Sequence, residues 1–271
     1  MSTVPFDRLA QHYLAILDAL DQAVIGTDLE GTVIHWSDAA ERFYGWSREE
    51  ALGKPILDLT TTTMSRPQAQ SILKELAAGT IWSGEFEVRG RSGESFRASV
   101  TDVPLTGDSG ETNGVIGVSA PSRSPSDLRA LLERFTAACE SHWPGLVKFD
   151  SATDRIEPAA SEPHLIQLFA LLAIREARQL DGGSHLEIRL EKASASLLAS
   201  LGVSANPSQA YIRIARRDDR PRFSLVRDIG HNAAPTDYAV ALVRAAGGML
   251  FEGALPNEPQ AVHLILRTGP N

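Results

Sequence analysis

The stretch Ala23–Trp46, AVIGTDLEGTVIHWSDAAERFYGW, decides the fold of the N-terminal half. It reads as strand, tight turn, strand and short helix. Val24, Ile25 and Thr27 are β-branched, and Asp28-Leu29-Glu30-Gly31 carries turn chemistry, with Gly31 free to take a positive φ. Thr32 to Trp36 resumes the β pattern. Ser37 or Asp38 can cap a helix that places Ala39, Ala40 and Phe43 on one face. Gly45 ends that helix, and Ser47-Arg48-Glu49-Glu50 has the form of a capping box opening another.

On the N-terminal side, Leu9, Tyr13, Ile16, Leu17 and Leu20 recur at helical spacing between Phe6 and Leu20. The subset Leu9, Tyr13, Ile16 and Leu20 forms a short coiled-coil-like seam. Such a stripe either packs on its own sheet or pairs with a second copy of the chain. On the C-terminal side, Pro55–Leu59 and the Thr60–Thr63 run read as a loop. Ser65-Arg66-Pro67 starts a helix with Ile72, Leu73 and Leu76 on one face, ending at Gly79. Strands are expected at Ile81–Gly90, Ser95–Leu105 and Asn113–Ser119, with a hairpin turn at Arg91–Glu94. The sum is an α+β domain, a five-stranded antiparallel sheet with helices on one face.

Several motifs in this region resemble the PAS family of sensor domains. They are the D-x-x-G turn at Asp28 and Gly31, then W-S-D-A-A-E-R-F-Y-G-W, S-R-E-E-A-L-G-K, I-W-S-G-E-F and R-S-G-E-S-F, in that order between Leu20 and Ala120. The resemblance implies a pocket between sheet and helices that serves small ligands. Its candidate lining is Ile25, Ile34, Phe43, Ile56, Leu73, Phe86, Val100 and Ile116. The same residues fill a solid core if the centre is packed. No particular cofactor is expected. A flavin-cysteine photosensor needs a thiol, and Met1–Ala138 contains no cysteine. Haem needs an axial donor, and the helix from Ser65 to Ala78 has no histidine, while His35 reads as an ordinary strand residue. Trp36, Trp46 and Trp82 read as core or interface groups.

A short Pro/Ser linker, Ala120–Ser126, marks a domain boundary, and Asp127–His142 reads as a helix stopped by Pro144-Gly145. Beyond it come a strand at Leu146–Phe149, an amphipathic helix at His164–Leu180 and strands at His185–Leu190, Tyr211–Ala215 and Phe223–Asp228. A helix at Asp237–Ala246 and strands at Met249–Glu252 and Ala261–Leu266 complete an α/β sandwich. The order, with E-P-H-L-I-Q-L-F-A-L-L-A-I-R-E-A, F-S-L-V-R-D-I-G and A-V-A-L-V-R-A-A-G-G-M-L-F-E-G, resembles the ATP-binding domain of histidine kinases. The resemblance implies a degenerate nucleotide site. Arg175 stands where the family places a magnesium-binding Asn, and a guanidinium offers donors only. Asp228 and Gly230 match the D-x-G turn that meets adenine. The segment His231–Thr236 leaves no room for the family's lid and second glycine-rich loop. His142 is followed by Trp143-Pro144 and reads as a helix-end residue, not a phosphoryl carrier.

Composition sets the outer bounds. The 271 residues suit about two domains. A hydrophobic content of 43% with 22% charged residues fits a globular protein with a real core. A net charge of −8 argues against nucleic acid or an anionic membrane as the main partner. Cys139 is the single cysteine, which excludes an intramolecular disulfide and agrees with a cytoplasmic location. No apolar run is long enough to cross a bilayer, and MSTVPFDRLAQ is not expected to be a signal peptide. No metal-ligand pairing of histidines is seen.

The expected plan is a dimerisation helix at residues 1–21, a PAS sensor at 22–120, a linker and connecting helix at 121–144 and a degenerate kinase-like domain at 145–271. The expected function is signal transduction in a two-component setting. A homodimer senses through its PAS domain, and an inactive kinase-like domain presents a surface to another signalling protein. The competing expectation is a divergent sensor kinase that still binds ATP and phosphorylates itself.

Overall fold

A computed structural model describes residues 6–63, 65–106, 111–123, 127–153, 155–177, 180, 185–203, 209–217, 227–228, 242–244, 246–253 and 261–268. The chain divides into two compact units. One contains Leu17–Arg123; the other contains Ser124–Ala233 and Val243–Asn271, with the first part of the leading helix.

That leading helix, α1, spans Phe6–Ala19. Ile16 and Leu20 of the predicted seam are buried within the single chain, so that part of the stripe is not free for a second copy. Strands β1 (Ala23–Thr27) and β2 (Val33–Trp36) then form the first hairpin. Its turn is tied as the sequence suggests: the Thr32 amide donates to Asp28 Oδ1 at 2.7 Å, and Gly31 sits at φ 81°. Ser37, rather than Asp38, caps α2 (Asp38–Tyr44): its side chain accepts from the Ala40 amide. The same oxygen accepts from the Val24 amide at 2.9 Å, which pins the helix to β1. Gly45 closes α2 in the left-handed region, and Ser47 and Glu50 form the full capping box of α3 (Arg48–Ala51).

Pro55–Leu59 and the first of the threonines were expected in a loop. Instead, Ile56–Thr60 is a short helix, α4. The Thr60 hydroxyl returns to the Ile56 carbonyl and the Thr61 hydroxyl to that of Leu57, so the threonines bond back onto the turn before them. Helix α5 (Arg66–Ala77) follows, with Pro67 in its first turn. Strands β3 (Trp82–Arg89), β4 (Ser95–Thr106) and β5 (Thr112–Pro121) complete an antiparallel sheet in the order β2-β1-β5-β4-β3. The first unit's core gathers Trp36, Tyr44, Ile72, Leu76, Phe86 and Val88 between sheet and helices. Trp36 is fully buried, and its indole N–H reaches the Trp46 carbonyl at 3.0 Å. This satisfies the one polar atom that burial would otherwise penalise.

The second unit contains α6 (Leu128–His142), β6 (Val147–Ser151), α7 (Glu162–Ala177), β7 (His185–Lys192), α8 (Ala195–Ser200), β8 (Gln209–Arg217), β9 (Arg227–Asp228), β10 (Met249–Gly253) and β11 (Ala261–Arg267). Its six-stranded sheet runs β6-β7-β8-β11-β10-β9. The β6–β7 pair is parallel, with α7 as the crossover, and the remaining pairs are antiparallel. Ile188, Ile212, Ile214 and Leu264 share one sheet face by register. Helix α7 packs with α6, where Phe135 and Phe169 meet at 6.1 Å between ring centres. The opposite face, with Tyr211, Phe251 and Ile265, is covered by Leu198 and Leu201 of α8 and the turn after it. Sequence periodicity missed α8 because it is too short to show a stripe. The expected helix at Asp237–Ala246 and the start of the strand at Phe223–Asp228 lie mostly outside the described residues, as does Gly230. No second helix follows α6 before β6, so His142 stands at a helix end.

Close backbone approach fixes one position in the first sheet. A Cβ at Gly114 would run into the Thr27 carbonyl oxygen, which is backbone and cannot swing away. Gly114→Ala is expected to lower stability in urea unfolding by on the order of 2 kcal/mol, with the first unit's signal lost first.

Candidate functional site

Side-chain alternation builds the site. Register pairs Ile25 with Gly117, Thr27 with Val115, Val100 with Ser119 and Asp102 with Gly117. All of these residues therefore point to the same face of the first sheet, the one that α4 and α5 cover. Between sheet and helices lies a hollow of about 100 Å³. It is lined by Ile25, Thr27, Val100, Asp102, Val115, Gly117 and Ser119 from the sheet, by Trp82, Phe86 and Val88 of β3, and by Tyr44. Ile56, Leu57, Thr60 and Thr61 of the α4 region and Ala69, Ile72, Leu73 and Leu76 of α5 close it. The centre is hollow rather than solid.

Of the residues expected to line it, Ile25, Ile56, Leu73, Phe86 and Val100 do so. Three do not. Ile34 is 57% exposed, because a register shift between Gly26 and Thr27 puts Val33 and Trp36 inward and leaves Ile34 and His35 outside. Ile116 lies one residue from Val115 and Gly117 and so points to the opposite face. Phe43 is turned away from the hollow and packs edge-on against Tyr44 and Phe96, at 4.7 and 4.8 Å between ring centres. Trp82, read from sequence as core or interface, lines the hollow beside Phe86.

The polar residues of the hollow were missed, because the search for a lining followed apolar side chains. Asp102 is the chemically decisive one. Its carboxylate reaches over Gly117, where an added Cβ would stand 2.6 Å from Oδ1. Among the described residues no hydrogen-bond donor or cation pairs with it. Burial alone pushes its pKa up to about 7. Thr27 is 5% exposed, and its hydroxyl finds no hydrogen-bond partner. The Tyr44 hydroxyl meets Ser119 Oγ at 2.9 Å. Its pKa is raised, first by burial, with the hydrogen bond opposing and the Asp102 charge adding. The alternation of β4 and β5 was legible, and an Asp inside the strand run Ser95–Thr106 was the signal available for an inward polar group.

In the second unit, Arg175 of α7 donates to Glu252 of β10 at 2.5 Å and to the adjacent Glu176 at 3.3 Å. Asp228 pairs through its backbone with Phe251, next to Glu252, so the positions of Arg175 and Asp228 are brought to one sheet edge. Cys139 is buried, and burial pushes its thiol up to about 12, with Glu140 adding, so it stays protonated and unreactive. Among the described residues no group of three or more His, Cys, Asp or Glu could hold a metal, and no helix is long and apolar enough to cross a membrane.

Two consequences are measurable. Asp102 is protonated in the folded state and ionised in the unfolded state between about pH 4 and pH 7, so stability falls as pH rises through that window. The thermal midpoint of the wild type is expected to drop across this range by roughly 5 °C more than that of Asp102→Asn. Thr27→Val removes an unpartnered buried hydroxyl at nearly constant shape. It is expected to raise stability by about 1 kcal/mol in urea unfolding.

Comparison with known proteins agrees with this geometry for the first unit. Residues 11–119 match the PAS fold family. A relative, the probable diguanylate cyclase DgcE of Escherichia coli (strain K12), is 23% identical over 198 residues. That alignment covers 70% of this chain, which spans 18% of the relative's length. Among solved structures, a PAS domain from Colwellia psychrerythraea is 25% identical, with a TM-score of 0.38, covering 42% of this chain and 95% of that one. The light-state dimer of the fungal blue-light photoreceptor Vivid is 20% identical, with a TM-score of 0.33, covering 37% of this chain and 77% of that one. Residues 11–119 form a PAS domain, a signalling module.

Proposed function

We propose that the chain is a signal-transduction protein in which the PAS unit senses a small molecule and the second unit is a catalytically inactive, histidine-kinase-like domain. The second unit serves as a regulatory surface for another signalling protein. What supports the loss of catalysis is Arg175. At the position where the resemblance calls for a magnesium ligand, the guanidinium is already engaged by Glu176 and Glu252. A cation held by two carboxylates repels Mg²⁺ and cannot coordinate it. The hollow in the PAS unit supports the sensing half of the reading. A homodimer belongs to the same proposal, formed through the PAS unit and the parts of α1 other than the buried Ile16 and Leu20.

Titration of the full chain with an ATP analogue and Mg²⁺ is expected to give no binding below about 1 mM. Incubation with labelled ATP is expected to leave no phosphoryl group on the protein. Micromolar binding, or label lost on substituting His142, would overturn the inactive assignment. Arg175→Asn supplies the residue type that kinases use. It is nevertheless expected to bring no nucleotide affinity and to cost on the order of 1 kcal/mol of stability, since the pairings of Arg175 with Glu176 and Glu252 are lost.

A further inference from the structure

The chemistry of the hollow narrows what it can hold, and this inference rests on the sensing reading above. Apolar side chains from β1, β3, β5 and α5 form most of the wall. No Lys, Arg or His is among the lining residues, so nothing there welcomes an anion. The polar groups are acceptors or hydroxyls: the Asp102 carboxylate, the orphaned Thr27 hydroxyl, the Tyr44–Ser119 pair, and Thr60 and Thr61, whose hydroxyls donate to carbonyls of their own turn. Two independent features thus point to an absent partner. One is a half-buried carboxylate that lines the hollow with no cation among the other lining residues, and the other is a hydroxyl, 95% of whose residue is buried, with no hydrogen bond.

Size and spacing add a constraint. Thr27 lies on β1 opposite Val115 and Asp102 on β4 opposite Gly117, with β5 between them, so their backbones stand roughly 12 Å apart. Their side chains rise from the same face, which leaves a gap that one substituted ring can bridge. A hollow of about 100 Å³ holds a ring-sized molecule and excludes a flavin or a haem. We propose that the hollow takes a compact, mostly apolar amine, with its ammonium group on the Asp102 carboxylate and its far end within reach of the Thr27 hydroxyl. The carboxylate gains the cation it lacks, and the ring replaces the empty volume against Phe86, Ile72 and Leu73.

Calorimetric titration of the purified full chain tests this, with benzylamine as the probe and phenylacetate and benzyl alcohol as the anionic and neutral comparators. At about pH 8 benzylamine is expected to bind at least tenfold tighter than phenylacetate. In Asp102→Asn that preference is expected to vanish. In the wild type, lowering the pH to about 5.5 is expected to weaken benzylamine and leave benzyl alcohol unchanged, because Asp102 takes up a proton while the amine keeps its own. Tyr44 is the other titratable group facing the hollow, and its raised pKa keeps it neutral throughout. The pH comparison uses the wild-type protein and holds whether or not the variant folds. Phenylacetate binding as tightly as benzylamine, or a preference indifferent to Asp102→Asn or to pH, would overturn the amine assignment. Benzyl alcohol binding would still leave the sensing reading standing in that case. Failure of all three probes to bind at about 10 mM would end both.

Discussion

The first unit depends on a trade made between two neighbouring strands. Gly117 has no side chain, and Asp102 fills the space that a side chain would take. With any other residue at position 117, the carboxylate would have to swing aside. With Gly117 in place, an ionisable group sits on the inward face of the sheet, where alternation alone would predict an aliphatic one. Burial pushes its pKa up to about 7. A fold selected only for stability would remove such a group, because an uncompensated polar residue facing a cavity is among the dearest features a small domain can carry.

The second unit handles charge in the opposite way. Arg175 is partly buried but fully engaged, between the helix that carries it and the strand that faces it. Its two carboxylates share one guanidinium, and Leu250, on the same strand and sheet face as Glu252, is fully buried beside it. Nothing in that arrangement is left waiting for a ligand. The Tyr211 hydroxyl and His263 Nδ1 likewise satisfy each other at 2.7 Å on the opposite face.

Local signals carried much of this into the sequence. Ser37, Gly45 and the Ser47–Glu50 box are decided within a few residues, because a cap is a hydrogen bond between near neighbours. Strands of the first sheet were equally legible, since period-two patterns survive without knowledge of partners. Register was not legible. Ile34 reads as inward by composition, and only the shift at Gly26–Thr27, set by pairing with β1, turns it out. Asp102 and Thr27 were hidden for a related reason. A polar residue in a strand normally marks the wet face, and the sequence does not state which face of β4 is wet. In the second unit, α7 is buried on nearly every side, so its apolar pattern is nearly continuous rather than striped, and it begins at Glu162, two residues before the expected His164.

The two walls of the hollow are held by different forces, and this decides where occupancy can be felt. The sheet wall is fixed by ladders: β4 and β5 are hydrogen-bonded along nearly their whole length, and the Asp102 backbone cannot move without breaking them. The helical wall is held by side-chain packing and by bonds that stay within it. Arg66 pairs with Asp58 at 2.8 Å and reaches the Leu57 carbonyl, and Thr62 and Ser65 bond to each other. Backbone ties from this wall to the strands are few: the Ile56 amide donates to the Gly31 carbonyl at 2.9 Å, and isolated bridges join Thr32 to Pro55 and Thr61 to Val88. Filling the hollow therefore presses on a helical piece more loosely tied than the floor beneath it. A ligand can shift such a balance only by the difference in its affinity for the two arrangements, and a contact made at the sheet is felt equally in both. Under the proposed sensing role, the contacts with Ile72, Leu73 and Leu76 of α5 are the ones that can differ between the two arrangements, because the strand that carries the charge is held by its ladders.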